Sequence, residues 1–506
     1  MKFKNINFIP AQQFQELHPR ISASNSDIYY ARLANNILKT LMHDEAVTSN
    51  FEPYLLKRIA LHSAAYLEDV ISGLGLFAAF RSLHQKLCGR KLPFVSLDEE
   101  DYYDDEINQP DIQLLVWFIK QEDSNEQEED GVRFTNPDNP VLEYISNLIM
   151  DILEDEYENA PENNSLFVLL HSDIEFDSYF QFRELLHWLH YNSYLSMQYP
   201  KRECQEEIES LLKSKNETIS KNKEQFIYST QVTRIFTKVC SPLAITAAEW
   251  LKEITTNDSL KGILDAVELR PHSTYEIVHH FGKEVKIHPV DDENDIMYLD
   301  ANSADGLEKN RYLLASLVFF NNLWQVNGFA AFLSSDKKEK LKKIDKENSN
   351  EDNILFTYEE IMKHTKNKPL IMFKDFDEYL VFWKKVFPDT PNIDEFVKNN
   401  ILKDKKNLLL FSDNKYGTTI LPDAASWIKS PNNKLYNKEK AEEYAVSILF
   451  GATPATFVLI SYLIENNLLP DACVNSLLGK ERGRQLVAEN EWFIVRFFQP
   501  DLFVEK

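Results

Sequence analysis

Residues 275–281, YEIVHHF, and residues 284–290, EVKIHPV, decide the fold class of this chain, and Gly282-Lys283 separates them. Apolar and polar residues alternate in both runs, and a two-residue loop that contains glycine is typical of a β-hairpin. Two more apolar runs, LVFF at 317–320 and LWQV at 323–326, flank Asn321-Asn322. The sequence therefore predicts a small antiparallel sheet between about residues 270 and 335.

Helical periodicity dominates on both sides of this sheet. In residues 27–41, the apolar side chains Ile28, Leu33, Ile37 and Leu41 trace one stripe along a predicted helix. Similar patterns predict helices at 53–71, 76–87, 112–119, 141–153, 179–194, 437–450, 454–465 and 481–498. The sequence contains no repeat with a period of about 20–50 residues. The predicted fold class is mainly α with a small antiparallel β insert (α+β), multi-helical and not a repeat solenoid.

Charge and composition divide the chain into four regions. Residues 1–200 hold 14 Lys and Arg against 33 Asp and Glu, so this helical region carries a net charge of −19. Residues 201–335 are predicted as helices followed by the small sheet, and residues 336–353 as a lysine-rich linker or exposed loop. Residues 354–506 are predicted as a C-terminal helical region.

The overall charge of the chain argues against broad contact with polyanions. The formal net charge is −25 and the pI is near 5.0, which disfavours direct nucleic-acid binding and contact with an anionic membrane. Residues 444–464 carry no charge, but Gly451-Ala452-Thr453-Pro454 divides them. Thr453 as N-cap and Pro454 as first helical residue predict two buried helices here, and not a membrane span.

The compartment is predicted from the cysteines and the N-terminus. Cys88, Cys204, Cys240 and Cys473 are far apart in the sequence and form no Cys-x-x-Cys pair, which is typical of free thiols in a reducing compartment. The first residues contain no apolar run of signal-peptide length. We therefore expect a cytoplasmic protein.

Several segments taken together resemble one protein family. They are residues 66–75 (YLEDVISGLG), 92–94 (LPF), 104–108 (DDEIN), 155–163 (DEYENAPEN) and 466–472 (NNLLPDA). The chain is similar to an uncharacterised bacterial family that is defined only as a domain of unknown function. The resemblance implies a bacterial, intracellular protein, and it implies no activity, cofactor or site residue.

One predicted helix carries the best enzyme-like cluster. Glu184, His187 and His190 recur at intervals of three, so they lie on one side of a helix, and Glu-x-x-His is the spacing of di-iron ligands in helical bundles. A second such pair, Glu276 and His279, falls in the alternating sequence, where i and i+3 are expected on opposite faces. Without matching ligands, a structural role outweighs metal binding, so we expect no cofactor.

Acidic loops supply the other candidate site. Asp98, Glu99, Glu100, Asp101, Asp104, Asp105 and Glu106 form one such loop, and residues 122–130 form another. The leading hypothesis is a non-enzymatic intracellular interaction or scaffold protein whose acidic N-terminal surface meets a protein with a basic surface. A solubilising role for the acidity is the simpler alternative. The other alternative is a metal-dependent enzyme centred on the Glu184, His187 and His190 helix. The oligomeric state stays open.

Overall fold

A computed structural model describes most of the chain. The described residues are 8–20, 24, 26–95, 97, 101–126, 133–173, 175–213, 223–304, 306–307, 311–333, 350–388 and 402–504, without the side chains of 126, 350–353 and 439. Their contacts form two compact units, 1–128 with 137–345 and 503–506, and 129–136 with 346–502. The boundary between the two units near residue 345 falls inside the predicted linker, 336–353.

The first unit begins with a large helical part. Its helices are α1 (Ala11–Gln15), α2 (Asp27–His43), α3 (Glu45–Thr48), α4 (Pro53–Ser72), α5 (Leu76–Cys88), α6 (Gln109–Glu126), α7 (Pro140–Tyr157), α8 (Asn164–His171), α9 (Tyr179–Tyr191), α10 (Tyr199–Lys213), α11 (Lys223–Thr237), α12 (Ala247–Ile254) and α13 (Asp258–Ala266). The predicted apolar stripe of α2 is confirmed at Leu33, Ile37 and Leu41, which are buried, whereas Ile28 is exposed.

Helix α6 is longer than its apolar pattern predicts. It continues through residues 122–126, which the sequence predicts as part of an exposed acidic loop. That prediction is wrong for Glu122 and Asp123, which are buried. Glu122 forms an ion pair with Arg58 and accepts a hydrogen bond from the backbone N–H of Gln198 at 2.7 Å, so its charge has partners that the local sequence does not reveal. Residues 127–130 lie outside the described part.

The predicted small sheet is confirmed, and it closes into a barrel. Its strands are β1 (Leu269–Phe281), β2 (Glu284–Pro289), β3 (Met297–Asp300), β4 (Tyr312–Phe320) and β5 (Leu323–Leu333). The order is β1-β2-β3-β5-β4, all contacts being antiparallel except the one between β3 and β5. Five strands in this order form a Greek-key barrel with the topology of an OB-fold. Topology alone assigns no ligand to it.

The second unit is less purely helical than predicted. It contains α14 (Asn350–Thr365), β6 (Leu370–Asp375), α15 (Phe376–Val386), β7 (Lys406–Asp413), β8 (Gly417–Leu421), α16 (Lys438–Leu449), α17 (Phe457–Glu465), α18 (Lys480–Ala488) and α19 (Glu491–Phe498). The prediction of a helical region 354–506 is therefore incomplete, because β6, β7 and β8 form an antiparallel sheet. The predicted lysine-rich linker, 336–353, lies outside the described residues up to 349, and α14 begins at 350.

The uncharged stretch 444–464 folds as two helices, as predicted, but the second helix begins later. Thr456, and not Thr453, is the N-cap of α17, and its hydroxyl accepts a hydrogen bond from Leu459 N–H at 3.3 Å. No single described helix has the length and apolar composition to cross a membrane. Helices α4 and α5 meet that test only as a pair that is bent by 91°.

Candidate functional site

Helix α4 is the centre of the candidate site. It packs against α2, α6 and α7, and most of its length is buried. Tyr66, Glu68, Asp69 and Ser72 are buried with it. Buried polar groups are costly unless they are paired, so their partners define the structure around them. These residues supply two polar clusters, one beside α5 and α6 and one beside α2.

The first cluster begins at the sharp bend between α4 and α5. Gly73 and Gly75 have φ values of 60° and 84°, left-handed conformations that favour glycine. Asp69 accepts hydrogen bonds from the backbone N–H groups of Leu76 at 3.0 Å and Phe77 at 2.8 Å. Asp69, which belongs to α4, therefore accepts the hydrogen bonds of amide groups that have no partner within the first turn of α5.

Asp111 lies at the floor of the cleft that this bend opens. The hydroxyls of Tyr66 and Tyr102 each donate a hydrogen bond to its carboxylate at 2.7 Å, and Nη1 of Arg81 lies 3.6 Å from it. Burial raises the pKa of Asp111 to about 6, although Arg81 and the two tyrosine hydroxyls favour the ionised form. The floor therefore holds a carboxyl group that can gain or lose a proton near neutral pH.

The rim of the cleft is acidic. Asp104, Asp105 and Glu106 are exposed and line a cavity of about 360 Å³ together with Arg81 and Asp111. Asn108 holds this loop in place, because its side-chain amide donates to the backbone carbonyls of residues 103 and 106, both at 2.8 Å. Residues 104–106 define the acidic rim. Asp101 is also exposed, whereas the predicted site residues Asp98, Glu99 and Glu100 lie outside the described part.

Arg81 is the one basic side chain among the described residues that line the cleft. It donates hydrogen bonds to the Tyr102 hydroxyl at 2.7 Å and to the backbone carbonyl of Asp104 at 2.5 Å. Together with the ion pair to Asp111, these contacts occupy the guanidinium group within the protein. Lys91, which does not line the cleft, forms an ion pair with Asp104 at 3.3 Å. The three carboxylates of the rim outnumber this lysine, so the rim keeps a net negative charge.

The second cluster surrounds His18. Its Nε2 lies 2.6 Å from Oε2 of Glu68, and its Nδ1 lies 3.1 Å from Oδ1 of Asp27. Glu68 also accepts hydrogen bonds from the side chains of Ser26 and Asn163, both at 3.1 Å. Burial opposes protonation of His18, but the two carboxylates outweigh it and raise its pKa to about 9. We call His18, Asp27 and Glu68 the histidine clamp.

The histidine clamp is also the place where a metal ion could bind. Its three ligand atoms lie within 4.8 Å of one another, and all three side chains are buried. The two carboxylates, however, face different nitrogens of the ring, whereas a metal ion binds an imidazole through one nitrogen. An imidazolium donates from both nitrogens. Only the contact between Nε2 and Glu68 has the geometry of a hydrogen bond, whereas Nδ1 and Asp27 form an ion pair. The two carboxylates on opposite sides of the ring therefore favour a proton over a metal ion in this cluster.

The predicted Glu184, His187 and His190 all lie on α9, but their surroundings differ. Burial first, and then the charge of Arg234, lowers the pKa of His190 to about 3, and neither of its ring nitrogens has a hydrogen-bond partner. Burial lowers the pKa of His187 to about 4, and the positive charges of Arg20, Arg183 and Lys201 lower it further. Within the described chain, these three side chains are not grouped as a ligand set.

The second Glu-x-x-His pair corrects an expectation from the sequence. Glu276 pairs with His288 and His279 pairs with Lys286, because a bulge shifts the register of β1 between residues 277 and 279. The extra residue places Glu276 and His279 on the same face of the strand, and not on opposite faces. Glu276 accepts a hydrogen bond from Nη2 of Arg311 at 2.9 Å, so its carboxylate already has a partner.

The sequence predicted the acidic rim but missed the residues beneath it. In the second half of α4, Glu68-Asp69 interrupts a run of apolar and small residues, and this is a local signal that could have pointed to a buried polar site. The partners of this pair are far away in the sequence: Tyr194 donates to Asp69 at 2.6 Å across 125 residues. No spacing rule connects such residues.

The family match covers the residues that form both clusters. A family model matches residues 9–279 and 326–499, so the cleft and the histidine clamp lie inside the first matched segment. No match was found among curated proteins or among solved structures. Because the family match extends over most of its length, the chain belongs to the family described as "Protein of unknown function (DUF3843)".

Proposed function

We propose that this protein is a non-enzymatic, intracellular interaction protein that holds a basic segment of a partner protein at the acidic rim and the cleft below it. The observation that supports this role is the charge of the cleft. Three exposed carboxylates surround its mouth, while Arg81 is occupied by Tyr102, Asp104 and Asp111. These carboxylates can therefore form ion pairs with a lysine or arginine side chain of the partner.

The walls of the cleft suit the aliphatic part of such a side chain. Val70, Phe77 and Ala78 line it, and its volume of about 360 Å³ is large enough for one long side chain and too small for a folded element. Lysine and arginine place an apolar stem against such walls and a charge among carboxylates. The basic partner therefore inserts one side chain into the cleft.

The intracellular placement is supported by the thiols. None of the four cysteines, all of which belong to the described part of the chain, forms a disulfide bond, and Cys204 and Cys240 are buried. Free, buried thiols are typical of proteins in reducing compartments. A role for the acidity in solubility alone remains the competing explanation, and the next experiment separates the two.

Neutralising the acidic rim is expected to weaken binding of a basic peptide at least fivefold. The change is Asp104→Asn with Asp105→Asn and Glu106→Gln, and the probe is a fluorescein-labelled peptide of ten residues in which lysine and glycine alternate. Binding is measured by fluorescence anisotropy on the full chain at pH 7. The reason is the loss of three charges that attract lysine at short range.

A matched control removes the same charge elsewhere in the acidic region. Asp151, Glu154 and Asp155 are exposed on α7, so Asp151→Asn with Glu154→Gln and Asp155→Asn should change the Kd less than twofold. Raising the ionic strength from about 0.05 to 0.5 M should weaken binding to the unmodified chain, because the Debye length falls from about 14 to 4 Å. Equal effects of the two triple variants on the Kd would contradict a localised binding site. The acidic residues would then serve only to keep the protein soluble.

A further inference from the structure

A second cavity in the first unit has the opposite character to the acidic cleft. It has a volume of about 550 Å³ and lies between α9, α10 and α11, and Arg20, which precedes α2, also lines it. Arg20, His187 and Lys201 line it, so the histidine of the predicted metal helix faces two basic side chains. A cation would be repelled here, which gives His187 a setting unlike that of a metal ligand.

The positive charge of this cavity is not cancelled by its own lining. Within the described chain, neither Arg20 nor Lys201 forms an ion pair with a carboxylate, and Glu209 is the one acidic side chain that lines the cavity. Glu209 lies 3.5 Å from Nζ of Lys213, a lysine outside the cavity lining. The lining therefore carries one positive charge in excess, in a protein whose net charge is −25. Glu16 and Glu122 act on Lys201 from outside the lining and stabilise its charge.

The ring of His187 is affected by the same positive charges. Its pKa is lowered to about 4 by burial and then by Arg20, Arg183 and Lys201, so the field at the ring is positive. At neutral pH the ring is uncharged and offers one N–H donor and one acceptor. Asn192 and Gln231 add side-chain amides to the lining. These groups can bind the neutral part of a small molecule.

We propose that this cavity binds a small anionic ligand that carries a phosphate or carboxylate group, with Arg20 and Lys201 as its charged contacts. A volume of about 550 Å³ suits a molecule the size of a nucleotide or a sugar phosphate. Arginine and lysine form charge-assisted hydrogen bonds with both kinds of anion. This site is separate from the acidic rim, so either proposal can fail without the other.

Isothermal titration calorimetry on the full chain tests this proposal, with inorganic pyrophosphate and citrate as probes at pH 7 and about 0.05 M ionic strength. At least one probe is expected to bind with a Kd in the micromolar to low millimolar range. Arg20→Gln with Lys201→Gln should weaken that binding at least tenfold, because two charge-assisted contacts are lost. Both side chains are exposed, so the urea midpoint of the double variant should remain that of the unmodified protein.

The control is Arg202→Gln, which removes a charge from the neighbouring, exposed position of α10 that does not line the cavity. Its Kd should stay within twofold. Binding of pyrophosphate but not citrate identifies a phosphate ligand, and the reverse identifies a carboxylate ligand. No binding of either probe, or equal affinity of the double variant and the unmodified chain, would overturn the proposal.

Discussion

Replacing His18 by alanine is expected to lower the free energy of unfolding by about 3–5 kcal/mol. The clamp buries the carboxylates of Asp27 and Glu68 on either side of one imidazole ring. Without the ring, two buried negative charges face each other across the space that it filled. Removing one partner of a buried ion pair is costly because the remaining charge is uncompensated. Urea unfolding of the full chain, followed by circular dichroism, measures the loss.

The pH dependence of this loss identifies charge as its cause. The pKa of His18 is about 9 in the folded protein and 6.5 ordinarily, so folding favours the protonated ring. The stabilisation is complete below pH 6.5, declines as the pH rises towards 9, and is lost above it. The shift corresponds to about 3 kcal/mol. The difference between the unmodified protein and His18→Ala should therefore shrink by about that amount between pH 6.5 and 9.5.

His43 provides the matched control. It lies in the last turn of α2 and is exposed, so His43→Ala should change the stability by less than about 0.5 kcal/mol. A loss below about 1 kcal/mol for His18→Ala, or a loss that does not vary with pH, would show that the ring fills space and does not act as a charged clamp. Added Zn²⁺ or Mn²⁺ should leave the unmodified protein no more stable, because the two carboxylates face different ring nitrogens.

The sequence predicts those parts of the fold that rest on local patterns. The hairpin at 275–290 follows from alternation and a glycine turn, and β1 and β2 confirm it. The parallel contact that closes the barrel joins Leu299 to Trp324 and involves the four-residue strand β3. Such a short strand has too few residues for alternation to be recognised, and its partner is set by tertiary packing. The closed barrel therefore could not be predicted.

The missed sheet of the second unit has a similar cause. Strand β6 has six residues between two helices, and the run of leucines at 408–410 is consistent with either a buried strand or a helix end. In the structure, Leu410 pairs with Ile371 in β6 and with Ile420 in β8. Pairing on both sides makes β7 the central strand. A central strand is apolar on both faces, so it lacks the alternation on which the prediction depends.

The sequence predicted one of the two charged cavities of the first unit and missed the other. Charge alone predicted the acidic loop, and Asp104, Asp105 and Glu106 indeed line a cavity. Charge alone also gave no hint that Arg20 and Lys201, on separate segments, lie at one cavity with His187. The net charge of a whole region does not show where a few basic residues lie close together. The net charge of a chain therefore constrains the surface as a whole but not the ligand of a particular cavity.

The second large effect is expected at Asp69, where replacement by alanine should cost about 3 kcal/mol or more. Asp69 accepts hydrogen bonds from the amides of Leu76 and Phe77 and from the hydroxyl of Tyr194. All of these donors are buried, and alanine leaves each without its acceptor. Each unsatisfied buried donor costs about 1–3 kcal/mol. The loss is again measured by urea unfolding of the full chain.

Two comparisons make this prediction specific. Asp69→Asn keeps one carbonyl oxygen as an acceptor, so it should lose less stability than Asp69→Ala. Asp44 caps α3 by accepting the N–H of Val47 at 2.9 Å, and it also accepts the hydroxyl of Tyr144 at 2.7 Å. Asp44 is only partly buried, so water can replace it, and Asp44→Ala should have a smaller effect than either. Because Asp69 fixes the start of α5, and α5 carries Phe77 and Arg81 into the cleft, Asp69→Ala should also weaken binding of the basic peptide while the acidic rim stays intact. Equal stability of Asp69→Ala and Asp44→Ala would mean that water satisfies the start of α5, and the bend between α4 and α5 would then depend on Gly73 and Gly75 alone.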